Sequence, residues 1–143
     1  MDEAWVAATL GGGELAVWRR LSGADRRHAV GVARRVDAAL GPGRPDRRRD
    51  VLAAALLHDA GKLDSGLGTL ARVPATVIGV VARSKARGRV AAYLDHPARG
   101  ARLLAAAGSA PLTVAWAAEH HLPPERWSVP GDVGAVLKSA DDD

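Results

Sequence analysis

The sequence predicts an all-α fold, and three observations carry that prediction. No stretch alternates apolar and polar residues with the period of two that a half-buried strand requires. Ala, Leu, Val and Arg dominate while Phe is absent. Glycine and proline cluster at breaks between runs of helical length. At 143 residues the chain has the length of one domain, enough to bury a core and too short for two.

The elements follow from those breaks. Residues 1–13 end in Gly11-Gly12-Gly13 and read as an N-terminal segment, a short helix and a flexible joint, ahead of a domain spanning 14–143. A turn of helix is expected around Leu15 to Leu21, broken at Ser22-Gly23, and then a helix over about 24–40. Gly41-Pro42-Gly43-Arg44-Pro45 stops it, because Gly caps helix ends and Pro cannot continue them. Asp46 stands where it can cap the next helix, whose stretch from Val51 to Leu57 is apolar on every side, the pattern of a helix buried mid-domain. Gly61, Gly66 and Gly68 mark a loop, and Thr69 to Tyr93 reads as one or two helices joined near Arg87-Gly88.

Pro97 and Pro111 each occupy the first-turn position that proline tolerates, opening helices through Ala107 and His121. Pro123-Pro124 and Pro130-Gly131 flank a loop with Trp127, read as a wall or lid, while Trp116 reads as core. Asp132 is expected to cap a last helix, on which Val133, Val136, Leu137 and Ala140 form the inward stripe. Asp141 continues that stripe; Asp142 and Asp143 leave it.

Composition excludes several classes. Without cysteine there are no disulfides, thiolate nucleophiles, zinc ribbons or iron–sulfur clusters, so any metal must be held by His, carboxylate or backbone groups. Asp2 and Glu3 stand where a signal peptide needs basic residues. The longest uncharged run, Leu103 to Ala118, is broken by Gly108 and Pro111, short of the ~18–20 apolar residues of a membrane span. The expectation is a soluble cytoplasmic protein. A net charge of +4 suits anionic partners, but no nucleic-acid recognition motif accompanies it. Arg83, Lys85, Arg87 and Arg89 read as a solvated face or the lining of a phosphate channel, and Val77 to Val81 as core or a homo-oligomer contact.

The five histidines, His28, His58, His96, His120 and His121, are the informative residues. His58-Asp59 ends the central apolar helix, and neighbouring helical residues point about 100° apart. Such a pair reaches two adjacent positions of one cleft and suits two ligands of a metal centre, the carboxylate bridging a pair of ions. His120-His121 repeats the arrangement on another helix. His28 lies at the edge of its helix's apolar arc, between Ala24 and Val32, and His96 precedes Pro97 at a helix start.

The order His28, then His58-Asp59 inside Leu56-Leu57-His58-Asp59-Ala60-Gly61-Lys62, then Asp141 after Ala140, resembles the HD superfamily of metal-dependent phosphohydrolases. His96-Pro97-Ala98-Arg99-Gly100-Ala101 and Glu119-His120-His121 resemble the additional ligands of members that bind two or three metals. These include the HD-GYP cyclic-dinucleotide phosphodiesterases and the HD-type diadenosine tetraphosphate hydrolases. The resemblance runs from about Glu14 to Asp141, and one departure is that Leu122 to Trp127 carries no Gly-Tyr-Pro element.

The resemblance implies a compact helical bundle and a hydrolase of a nucleotide or another small phosphate ester. It implies a divalent transition metal, two ions, Fe or Mn ahead of Zn or Mg. Asp59 would bridge the ions, with His28, His58 and Asp141 completing one site and His96, His120 and His121 holding the second. A pair of ions clamps a phosphoryl group and acidifies a shared water. Lys62 would stabilise charge on the phosphate, although Gly61-Lys62 also reads as an ordinary helix end. A mixed-valent di-iron oxygenase of the same superfamily shares much of this ligand set, and a non-catalytic regulatory module binding a nucleotide or protein is the third reading.

Overall fold

Helix formers between glycine and proline breaks give the observed order in the computed structural model, which describes residues 2–43, 45–64 and 96–143. The α-helices are α1 (Glu3–Thr9), α2 (Gly12–Arg20), α3 (Gly23–Leu40), α4 (Pro45–Leu57), α5 (His96–Ala106), α6 (Pro111–Glu119) and α7 (Gly131–Asp142). Short 3-10 turns follow α4 at Ala60–Asp64 and α6 at Pro124–Arg126. The described residues contain no strand, as the missing period of two predicts. The readings of 69–93, including the basic segment and Val77 to Val81, lie outside the described residues.

α4 is the centre of the bundle. Val51 through Leu57 are all buried, and α3, α6 and α7 pack around them together with α1 and α2. Val32 and Val36 of α3, Leu104 of α5, Trp116 of α6 and Leu137 of α7 complete the core. Each large aliphatic side chain removed from water there contributes about 1.5–3 kcal/mol before its ordering cost. Val6 of α1 and Leu10 belong to the same core.

Several boundaries differ from those the sequence suggests. Gly12 and Gly13 are not a flexible joint but the first turn of α2. Gly13 is required by packing: a Cβ there would sit 2.4 Å from the carbonyl oxygen of Ala107. α4 starts at Pro45, so Asp46 falls inside the first turn rather than capping it. Asp132 likewise lies within the first turn of α7, where Pro130 occupies the cap position, and it pairs with Arg47 at 3.5 Å. α6 stops at Glu119, leaving His120 and His121 in the turn beyond it.

A buried carboxylate ties the N-terminal helices to this frame. Glu14 accepts from the Gly11 amide at 2.9 Å, from Ser109 Oγ at 2.7 Å and from Arg49. Arg49 also donates to the Thr9 carbonyl at 2.9 Å. Loop and helices are thereby joined by satisfied polar groups, as burial of a carboxylate requires.

Candidate metal centre

Four helix segments deliver acidic and imidazole side chains to one end of the bundle. His28 comes from the first half of α3, His58-Asp59 from the turn ending α4, His120-His121 from the turn ending α6, and Asp141 from the last turn of α7. The donor atoms of His28, His58 and Asp141 lie within 4.8 Å of one another, and so do those of Asp59, His120 and His121. The groups adjoin through His58-Asp59. His28 Nε2 is 2.9 Å and His58 Nε2 3.4 Å from Asp141 Oδ1. Asp59 presents Oδ2 to His58 Nε2 and Oδ1 to His120 Nε2, each at 3.5 Å.

Backbone carbonyls orient the two buried imidazoles. His58 Nδ1 is 2.8 Å from the Ala55 carbonyl, and His120 Nδ1 is 3.0 Å from that of Ala117 and 3.2 Å from that of Trp116. A carbonyl oxygen only accepts, so in both rings Nδ1 carries the hydrogen and donates it. In the neutral ring Nε2 is then a bare lone pair facing carboxylate oxygens. Acceptor facing acceptor is stable only with a cation between them, either a proton or a metal ion. This donor set fits a divalent metal: imidazole and carboxylate groups of the type that bind first-row ions, with the rings already held by outer hydrogen bonds.

The electrostatics show the same tension. Burial pushes the His58 imidazole down, but its contact with Asp141 and the charges of Asp59 and Asp141 outweigh it, and the net shift is upward. Burial alone would raise Asp59; the facing His120, the His58 charge and the Lys62 ammonium hold its carboxyl far below the usual range. Asp141 is held low chiefly by His58, with burial opposing and His28 assisting.

Lys62 stands in the turn after α4, its Nζ 2.9 Å from Asp59 Oδ2 and 3.9 Å from Asp25 Oδ1. α5 lies directly over this turn because residue 100 is glycine: a Cβ there would be 2.8 Å from the Gly61 amide nitrogen. His96 opens α5, four residues before Gly100 and so in the same stripe, but its side chain lies outside the described residues. Trp116 is core, its ring centroid 6.3 Å from that of His120. Trp127 packs edge-on against Trp116 at 5.2 Å and donates its indole N–H to the Leu122 carbonyl at 2.9 Å, bracing the loop after the histidine pair. Asp25 was not singled out by the sequence, where nothing separates it from other helix-start acids.

A family model described as HD domain matches residues 26–142, most of the chain and every side chain of the cluster. The chain belongs to the HD-domain family. No match was found among curated proteins or among solved structures. In this HD domain the His, His-Asp and Asp order seen in the sequence converges in space, with His120-His121 beside it. Among the described residues, no helix of the HD domain is long and apolar enough to cross a membrane.

Proposed function

We propose that this HD domain is a metal-dependent phosphohydrolase acting on a nucleotide or another small phosphate ester. The observation that carries the reading is the pair of His/Asp groups adjoining through His58-Asp59, with lone-pair nitrogens aimed at carboxylates. His28, His58 and Asp141 would hold one ion and Asp59, His120 and His121 the second, with His96 at the start of α5 as a further ligand. Bound there, divalent ions would supply charge neutralisation at the phosphoryl group and a more acidic water.

The chain's own groups do the rest. Asp59 turns one oxygen toward each group and so sets their spacing. The Ala55, Trp116 and Ala117 carbonyls fix the ring tautomers, so the donor nitrogens need no reorganisation. Lys62, beside Asp59, supplies a cation at the edge of the cluster that stabilises negative charge developing on the phosphate.

Metal analysis of anaerobically purified protein, joined to a phosphate-release screen over nucleotides, tests the reading. The expected result is bound transition metal and oxygen-independent phosphate release. Turnover that strictly requires oxygen would establish the di-iron oxygenase reading instead, and a protein without metal affinity would end both.

A further inference from the structure

Asp141 reaches the cluster from the last turn of a helix, where backbone carbonyls lack intrahelical partners. Its oxygen is nonetheless placed against both His28 and His58. From another helix, Arg35 acts on that turn: its Nε donates to the carbonyl oxygen of Ala140 at 2.8 Å, across from α3 to α7. Ala140 directly precedes Asp141, and its carbonyl is among the last four of α7.

His28 and Arg35 are seven residues apart on α3, two turns along one face, with buried Val32 between them. That face grips the end of α7 twice, at the Asp141 carboxylate through His28 and at the preceding carbonyl through Arg35. The guanidinium also places positive charge at the negative end of the α7 dipole. Arg35 itself is largely exposed, so its contribution is not that of a core side chain.

We infer that Arg35 is a positioning residue for the metal centre: by holding the Ala140 carbonyl it fixes the last turn of α7 so that Asp141 meets His28 and His58. This rests on the metal-centre reading. Losing such an outer hydrogen bond typically weakens metal affinity about 10- to 100-fold.

The test is titration of the metal-free full chain with cobalt(II), without substrate, for wild type, Arg35→Ala, Arg35→Lys, Asp141→Asn and Arg35→Ala/Asp141→Asn. Arg35→Ala should weaken cobalt affinity at least about tenfold with the melting curve still cooperative, and Arg35→Lys, which retains a cationic N–H donor, should recover most of it. In the Asp141→Asn background the Arg35→Ala effect should vanish, since the two act in series. Amide exchange at residues 139–142 should quicken in Arg35→Ala. Unchanged cobalt affinity in Arg35→Ala, or a full effect persisting without Asp141, would overturn the inference while leaving the metal centre standing. Wild type that fails to bind cobalt would overturn the metal-centre reading itself, and this inference with it.

Discussion

Asp59 contacts His58, His120 and Lys62, presenting one carboxylate oxygen to each group of the cluster. Asp59→Ala should therefore remove bound metal and phosphate release together, as metal analysis beside a turnover assay would show. Lys62→Ala should spare the metal and slow turnover on the order of a hundredfold, the usual loss for one charge-stabilising donor. Equal metal loss in both variants would mean that Lys62 serves only to hold Asp59. Protonation adds a third expectation, for metal-free protein. The raised His58 pKa contributes stability that is full below the unfolded value of about 6.5 and is lost as pH rises through the folded value. The depressed Asp59 and Asp141 pKa values contribute stability that is present above about 3.9 and lost as pH falls through the folded values. Melting temperature of chelator-treated protein should peak between those limits. Metal loading should abolish the alkaline decline if, as proposed, an ion takes the place of the proton between His58 and the carboxylates.

At the scale of elements, glycines decide how closely helices approach. A Cβ on Gly134 of α7 would lie 2.5 Å from the Trp127 ring, which packs in turn on Trp116, one turn before His120. Gly134→Ala must displace that ring, costing about 1–3 kcal/mol as overpacking does, and should lower the melting temperature and alter tryptophan fluorescence. Unchanged melting and emission would show that the ring is not held there. The glycine clusters at 11–13 and 41–43 look alike in sequence as chain breaks. Yet Gly12 and Gly13 are helical while Gly41, at φ 62°, ends α3 in a conformation that L side chains rarely adopt. Local composition does not distinguish them; the partner across the interface does.

For the molecule as a whole, binding and stability are linked. An ion that binds only the folded chain adds about 2.7 kcal/mol at a hundredfold excess over its Kd. Melting temperature should thus rise with cobalt or manganese concentration and fall back on adding chelator, and a melting curve indifferent to metal would argue against an assembled centre. The Glu14 network should behave independently of this. Glu14→Ala removes the acceptor that Ser109 and the Gly11 amide share with Arg49, costs about 1–3 kcal/mol, and should leave the metal-induced rise intact.

The helical class, the buried central stretch from Val51 to Leu57 and the breaks around it follow from the sequence alone, because periodicity and the special backbones of Gly and Pro act locally. The histidines and aspartates could also be picked out there, since His58-Asp59 and His120-His121 place adjacent side chains about 100° apart at helix ends. Which of them meet was decided by tertiary structure. α3, α4, α6 and α7 must pack before residues as distant as His28 and Asp141 come within 2.9 Å. The same packing decided that Val6 joins the core, that Gly13 belongs to a helix and that Arg35 clasps the Ala140 carbonyl. Those outcomes depend on distances between helices, and a distance between helices is a sum over many side chains that no single stretch of sequence contains.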